Sequence, residues 1–411
     1  MYFLWLCILL RVTLISGNRF DPHVFPQRGP FFEGWYIRLI DSDNGNSIGL
    51  LFGQVLPDVS KSVNNYPPVL CSILVRSCSV TGCKLFSHDA TFNSSDVKVR
   101  VKGKPVDKNP DISSPANFTW LAKNSVSFVF FRSNVSSSSF RVKFGNVSLD
   151  GELSSPIPWG PDGEGPEGWV DKFPLPLHWF VYSLRSSIVS YKFKKGREIV
   201  FEGRHGTAHM EKNWGKSFPK AWIWSEGISP NNVTYVVSGG PVQVGPIPIT
   251  AHLLGYRNPL KNISLDFHPY DSYISAKYDG CRGFINITNS ATFNSGHDIC
   301  PDFRQPLFQR YVETIYSGQM SCPELNVALL TAKGPLHSVE LYVTAELSSF
   351  SQCLYGPESQ GFRPVCKETY DASATIYVYR LNILIDKQFL SSVALEFGGE
   401  NVCGGCTSLK K

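Results

Sequence analysis

Two carboxylates, Glu33 and Glu211, lie in unusually aromatic segments and are the side chains best suited to do chemistry in this chain. Glu33 falls within residues 31–36, and Glu211 begins a segment, residues 211–224, that holds three tryptophans. Burial among aromatic rings disfavours a charged carboxylate, raises its pKa and keeps a proton available near neutral pH. Both glutamates are therefore candidate general acids.

The same two segments offer aromatic faces that could bind an isoprenoid or an aromatic ligand. Indole and phenol rings attract cations, so they could also stabilise a cation formed transiently on such a ligand. In the structural alternative, the rings belong to the core of a β-barrel and Glu33 forms an ion pair with Arg38 or Lys212. The candidate binding residues are Trp35, Tyr36, Trp214, Trp222 and Trp224.

Metal and nucleotide chemistry lack a comparable signal. His205 and His209 are four residues apart, a spacing that suits a metal on a helix, but this segment reads as extended and no third ligand is evident. We therefore predict no metal site. The sequence also has no Gly-x-Ser-x-Gly elbow, phosphate-binding loop or dinucleotide fingerprint.

Antiparallel strands must position these residues, because short β-branched and aromatic runs are broken by Gly, Asn, Ser and Pro, and helical periodicity is nowhere sustained. Residues 154–176 are rich in Pro and Gly and predict a boundary or a lid, which we expect over one end of the first barrel. The sequence thus predicts an all-β protein. Predicted strands include residues 48–56, 69–75, 97–101, 125–131, 140–144, 178–184 and 375–384.

The length of 411 residues predicts two domains or one large all-β body. We divide the chain into residues 18–190 and 191–411, after a signal peptide at residues 1–17. The apolar leader would also suit a short membrane anchor. No later segment approaches the roughly 20 apolar residues that a membrane span needs, so we expect a soluble mature chain. The net charge of +5 is modest and no nucleic-acid-binding motif is present, so nucleic acid is not an expected partner.

Sequons and cysteines both indicate a secreted or lumenal protein. Ten cysteines remain after the leader, an even number that predicts up to five disulfides in an oxidising compartment. Zinc at Cys78 and Cys83, or at Cys403 and Cys406, is the competing interpretation, but no second pair lies at finger spacing. The local disulfide candidates are Cys281 with Cys300 and Cys353 with Cys366. The predicted glycosylation sites are Asn93, Asn117, Asn134, Asn146, Asn232, Asn262 and Asn286.

The two aromatic segments resemble motifs of the tocopherol cyclase family, which is related to lipocalin-like carotenoid hydratases. Residues 32–36 read Phe-Glu-Gly-Trp-Tyr, like the family's N-terminal FEGWY, and residues 206–224 resemble its longer block ending in SFP-x-x-W-x-W. The resemblance covers residues 30–230. It implies two lipocalin-like antiparallel β-barrel domains with a hydrophobic cleft between or within them.

The resemblance also implies an isomerase that cyclises a prenylated hydroquinone without a metal or redox cofactor; the secretory features would suit a different isoprenoid or lipid as the substrate. In such a reaction an enzyme acid protonates the prenyl double bond, and the phenolic oxygen captures the tertiary cation to form a chromanol. The tryptophans would favour the cationic path. Glu211 is the first candidate for the acid, and Glu33 is the second.

Three residues depart from the family pattern. Asn213 stands where Asp is expected, His209 where Tyr is expected, and Glu226 where Gln is expected. Together with the secretory features, these departures leave two alternatives open. One is a non-catalytic carrier of a lipid or isoprenoid, and the other is a hydratase that adds water to the same cation.

Overall fold

The computed structural model describes residues 22–23, 28–60, 66–80, 82–101, 103–105, 118–122, 126–130, 137–154, 156–173, 175–216, 218–244, 247–280 and 325–406. Over these ranges the chain folds into antiparallel strands joined by turns and four short 3₁₀ helices. The predicted all-β, barrel-like architecture is confirmed. None of the helices in these ranges is long and apolar enough to cross a membrane.

The described part of the first half forms two sheets. One follows the order β4-β3-β2-β1-β13-β11-β10-β9, with β12 beside β11, and the smaller one follows β6-β5-β7-β8. A hydrophobic core containing Trp35, Phe52 and Trp120 draws on both sheets. The strands are β1 (Phe31–Asp41), β2 (Ser47–Leu56), β3 (Val69–Ser79), β4 (Gly82–Phe92), β5 (Val97–Val101), β6 (Lys104–Pro105), β7 (Phe118–Ala122), β8 (Val126–Phe130), β9 (Ser137–Phe144), β10 (Val147–Ser154), β11 (Leu177–Lys195), β12 (Glu198–Gly203) and β13 (Gly206–Gly215).

The described part of the second half forms one further sheet with a core of its own. Its order is β17-β16-β15-β14-β23-β22-β20-β19-β18, with β21 beside β22. The strands are β14 (Ala221–Ile228), β15 (Thr234–Val244), β16 (Ile247–Asn258), β17 (Ile263–Phe267), β18 (Tyr273–Tyr278), β19 (Leu325–Lys333), β20 (His337–Glu346), β21 (Leu354–Glu358), β22 (Gly361–Arg380) and β23 (Ile383–Gly399).

The strand predicted over residues 375–384 is wrong at its end, because Leu381 and Asn382 have φ of 49° and 65° and form a tight turn between β22 and β23. The domain boundary predicted at residue 190 falls inside β11, and the division into residues 18–190 and 191–411 stays a prediction.

Strand β1 presents one face to the first core and the other face to the second sheet, because neighbouring side chains on a strand point to opposite faces. Trp35, Ile37 and Leu39 belong to the first core. Tyr36 and Arg38 contact residues of the second sheet instead. The segment rich in aromatic residues therefore builds a core and an interface at once.

Arg38 joins the two sheets through a buried ion pair. Its Nη1 donates to Glu226 Oε2 at 2.5 Å, and neither side chain is exposed. Its Nη2 donates to the carbonyl of Ser392 at 2.5 Å, and its guanidinium lies 4.6 Å from the ring centre of Tyr370. Glu33 lies on the opposite face of β1, so Arg38 is not its partner. Glu33 Oε1 is instead 2.7 Å from Lys212 Nζ.

The Pro/Gly loop that follows β10 runs between the sheets. Its Trp159 is fully buried and packs edge-on against Trp179 of β11, with ring centres 5.5 Å apart. Trp159 also lies against Gly255 of β16, where an added Cβ would come within 2.9 Å of the indole. The loop thus contacts both sheets, and its predicted position over one end of the first barrel stays a prediction.

Two disulfides join described residues, Cys78–Cys83 and Cys353–Cys406. The predicted pairing of Cys353 with Cys366 is wrong. Leu354 lies directly opposite Cys366, so the preceding Cys353 points to the other face of the sheet. Cys366 is a buried free thiol. The predicted pair Cys281 and Cys300 lies outside the described residues.

Four predicted glycosylation sites lie in described turns or loops. Asn93, Asn146 and Asn262 are exposed, whereas Asn232 is half-buried and accepts a hydrogen bond from Arg185 Nη1 at 3.0 Å. Asn117, Asn134 and Asn286 lie outside the described residues. Glycosylation stays a prediction.

Replacing Arg38 by Leu should lower the free energy of unfolding by about 3–5 kcal/mol, because Glu226 would stay buried without its ion-pair partner. The control is Arg141→Leu, which breaks an ion pair with Asp150 whose arginine side chain is 76% exposed, and should cost less than about 1 kcal/mol. Urea titrations followed by tryptophan fluorescence measure both losses. Equally small losses would contradict the proposed role of Arg38.

Candidate functional site

A cavity of about 390 Å³ lies between the two large sheets. The first sheet contributes Tyr36, Trp179 and Glu211 to its wall, and the second contributes Trp224 and Glu396. Most of the remaining wall is apolar and includes Leu51, Leu74, Val170, Leu177 and Leu253. A hydrophobic small molecule would fit this kind of site, which pairs apolar walls with a few polar groups.

Strand β13 supplies two polar side chains to the first wall. Its residues alternate, so that Glu211 and Asn213 line the cavity while Lys212 faces the other way and pairs with Glu33. The structure records no hydrogen bond from the Asn213 amide to any residue that it describes. That amide is therefore available to a ligand as both donor and acceptor.

Glu211 is fixed by three nitrogen groups that converge on one oxygen. Trp179 Nε1 and Trp224 Nε1 each donate to Glu211 Oε2 at 3.0 Å, and His209 Nε2 lies 3.1 Å from the same oxygen. Burial alone would lower the pKa of His209, but the hydrogen bond to Glu211 and the charges of Glu211 and Glu226 raise it above its ordinary value. Oε2 of Glu211 therefore accepts hydrogen bonds from two indoles and lies beside an imidazole whose pKa is raised.

A second pair of carboxyl groups, Glu368 and Glu396, lines the opposite wall. They are directly opposite each other on β22 and β23. Glu368 Oε1 accepts a hydrogen bond from the Tyr36 hydroxyl at 2.8 Å, and Glu396 Oε1 accepts one from Trp222 Nε1 at 2.5 Å. Glu368 is buried, whereas Glu396 keeps part of its surface open to the cavity.

The surroundings of this carboxyl pair favour its protonated form. Burial raises the pKa of Glu396 to about 7; the hydrogen bond from Trp222 opposes this rise, and the charge of Glu211 adds to it. Burial and the nearby charge of Glu396 hold the pKa of Glu368 well above its ordinary value. Two carboxyl groups this close do not both ionise readily. A proton donor thus lies in a largely apolar cavity.

The residues predicted from the sequence divide into two groups. Glu211, Tyr36, Trp222 and Trp224 line the cavity, whereas Glu33, Trp35 and Trp214 do not. Trp35 is stacked on Phe52 in the first core, with ring centres 5.0 Å apart. Trp214 is stacked between the rings of His23 and His178, at 4.7 and 4.9 Å.

Glu33 lies in a buried cluster outside the cavity. Its Oε1 is 3.0 Å from His23 Nδ1, and its Oε2 accepts a hydrogen bond from the backbone N–H of His23 at 2.6 Å. Burial alone would raise the pKa of Glu33, but the Lys212 ammonium and the contacts with His23 hold it below its ordinary value. Glu33 is therefore suited to an ion pair rather than to proton donation.

His205 and His209 have different surroundings. His205 is exposed, with Nδ1 3.0 Å from Asp43 Oδ2, whereas His209 is buried beside Glu211. Among the described ranges of the chain, no three His, Cys, Asp or Glu side chains are grouped so that they could hold a metal ion.

Sequence reasoning missed Glu368, Glu396 and Trp179. One signal could have drawn attention to Glu396, which is a lone charged residue in the apolar run 393–397. Glu368 has no such signal, because its neighbours in sequence are polar. Its role depends on β22 and β23 pairing with each other and on Tyr36 reaching it from β1.

No protein-family model matches the sequence, and no curated protein sequence matches it either. Solved structures with a similar fold include the following two. The crystal structure of CghA aligns with a TM-score of 0.53 at 10% identity, covering 94% of this chain and 93% of that chain. A protein provisionally assigned as AttH, from Nitrosomonas europaea, aligns with a TM-score of 0.45 at 11% identity, covering 94% and 98%. The likeness to CghA concerns the fold alone.

Stability should depend on pH through Glu396. Folding raises the pKa of Glu396, so the folded state is stabilised when this side chain is protonated. This contribution to the free energy of unfolding is complete below the unfolded pKa of 4.5 and is lost as the pH rises through about 7. Across this window the wild type should lose up to roughly 3 kcal/mol relative to Glu396→Gln. The comparison variant is Glu340→Gln, which alters a carboxyl with a raised pKa outside the cavity and should remove only the pH dependence that Glu340 itself contributes, leaving that of Glu396 in place.

Urea titrations at several pH values between 4 and 9 measure the free energy of unfolding of wild type and both variants. If the Glu396→Gln protein keeps the pH dependence of the wild type, Glu396 does not hold the proton assigned to it.

Proposed function

We propose that the protein binds a prenylated hydroquinone in the cavity and cyclises it to a chromanol by acid catalysis, as the resemblance to tocopherol cyclases implies. The observation that carries this proposal is the pair of facing carboxyl groups, Glu368 and Glu396, whose pKa values are raised by burial in a cavity with mostly apolar and aromatic walls. An acid of this kind can protonate an alkene, and apolar walls keep water from the cation that results.

The reaction requires one proton to leave the enzyme and return to it. Glu396 transfers its proton to the prenyl double bond, which forms a C–H bond and leaves a tertiary cation on the substrate. The phenolic oxygen then forms a C–O bond to the cation, and the phenolic proton returns to the pair Glu368 and Glu396. Substrate and product are isomers, so no further reactant is consumed.

Three rings and one carboxyl group support the cationic path. Tyr36, Trp222 and Trp224 line the cavity, and their π-faces attract positive charge. Glu211 faces the carboxyl pair from the opposite wall, and its charge influences both Glu368 and Glu396. We assign to Glu211 the electrostatic stabilisation of the cation, and to Glu396 the role of the acid.

Asn213 is suited to hold the polar end of the ligand. Its amide lines the cavity on the wall opposite Glu396, and it can donate to one hydroxyl group and accept from another. An amide cannot serve as an acid at this position, where the family pattern has Asp. This substitution favours a second candidate function, in which the protein carries the same class of ligand without turning it over.

We also propose that the protein works in the secretory pathway or outside the cell. The disulfides Cys78–Cys83 and Cys353–Cys406 support this location, because such bonds persist in oxidising compartments. The exposure of Asn93, Asn146 and Asn262 is compatible with their glycosylation.

Incubating the recombinant protein with a prenylated hydroquinone should yield a chromanol of unchanged mass. Glu396→Gln should lower kcat by roughly 10²–10⁴-fold, because it removes the general acid, while ligand binding is retained. Glu340→Gln serves as the control and should leave kcat unchanged. In the wild type, kcat should fall as the pH rises through about 7, where Glu396 loses its proton.

Mass spectrometry of the product and ligand-induced quenching of tryptophan fluorescence separate the alternatives. Binding without turnover would identify a carrier, and a product heavier by one water would identify a hydratase. Full activity of Glu396→Gln would remove Glu396 as the acid.

A further inference from the structure

A group of large aromatic side chains is exposed where the Pro/Gly loop meets the second sheet. Trp169 is 56% exposed, Phe173 is 44% exposed and Tyr270 is 41% exposed. Their rings contact one another, since the Trp169 ring centre lies 5.6 Å from that of Phe173 and 5.2 Å from that of Tyr270. The three residues therefore form one continuous apolar surface.

This surface continues into the cavity. Val170, which follows Trp169, lines the cavity, and Tyr270 belongs both to the exposed group and to the cavity wall. Ile249 of β16 also lines the cavity and is 41% exposed, and nearby Ile247 is 60% exposed. Side chains that are exposed and also line the cavity mark its entrance. We use the name aromatic rim for the three exposed aromatic residues together with the two nearby isoleucines: Trp169, Phe173, Tyr270, Ile247 and Ile249.

Charges around the entrance are of both signs. Lys216 and Lys220 are exposed and flank Phe218 and Pro219, which line the cavity. Asp171 and the exposed Lys172 lie between Val170 and Phe173, and Asp271 follows Tyr270. Electrostatic attraction to a strongly anionic or cationic surface is therefore not expected to dominate, and apolar contact should provide the affinity.

We propose that the aromatic rim docks on the surface of a zwitterionic lipid bilayer, from which the ligand enters the cavity. Trp and Tyr favour the boundary between lipid and water, where an apolar ring and a polar tip are both accommodated. A protein partner on this surface would instead close the entrance. The proposal rests on the proposed function in one respect, namely that the ligand is lipid-soluble.

The test uses the full-length protein and phosphatidylcholine vesicles without any substrate, so that its outcome does not depend on catalysis. The double variant Trp169→Ala/Phe173→Ala should bind at least about tenfold more weakly, because two large apolar side chains no longer insert. Binding of the wild type should be nearly the same at low and high salt. Co-sedimentation measures the bound fraction.

The matched control is Leu381→Ala/Ile383→Ala at the turn between β22 and β23, where the two side chains are 67% and 69% exposed but do not line the cavity. This control should bind vesicles like the wild type, and circular dichroism should show that both double variants are folded. With substrate supplied in detergent, the rim variant should keep its turnover, and only vesicle-delivered substrate should react more slowly.

Three results would overturn the proposal. The first is an equal loss of binding in the control, which would show that exposed apolar residues bind lipid without regard to the entrance. The second is binding to anionic vesicles only, with a steep dependence on salt. The third is self-association in the absence of lipid that the rim variant abolishes, which would make the rim an interface between two copies of the chain.

Discussion

The buried ion pair between Arg38 and Glu226 is the interaction on which the rest of the structure depends. It joins a strand of the first sheet to a strand of the second, and both side chains are shielded from water. Two charges in such a place are stable only if they remain paired and hydrogen-bonded, so the pair fixes how the sheets face each other. Tyr36, two residues earlier, adds a second connection through Glu368 and the Tyr370 hydroxyl. The cavity is the space that these connections leave open.

Alternation along β1 and β13 explains why one segment can serve two purposes. On each strand, one set of side chains fills the first core and the other set faces the second sheet. Glu33 and Lys212 neutralise each other on the core side, while Tyr36 and Glu211 reach the cavity on the opposite side. A motif that looks like an active site in the sequence is therefore partly a structural ion pair and partly a cavity wall.

The sequence predicts the all-β class and several residues of the cavity, because Glu211, Trp222 and Trp224 are near one another in the chain. It does not predict the carboxyl pair on the wall formed by the second sheet. Glu368 and Glu396 are 28 residues apart and meet only through the pairing of β22 with β23, a long-range contact that leaves no local pattern. The cysteine pairing fails for a similar reason, since the face to which Cys353 points depends on strand register.

The central claim is that a carboxyl group in this cavity stays protonated at neutral pH. Infrared difference spectroscopy observes the carbonyl stretch of a protonated carboxylic acid directly, without substrate or unfolding. We expect this band in the wild type at pH 6, with a loss of intensity on titration through pH 7, where the pKa of Glu396 lies. The component of the band that titrates through pH 7 should be absent from the spectrum of Glu396→Gln. A wild-type spectrum at pH 6 without any protonated carboxyl band would contradict the account.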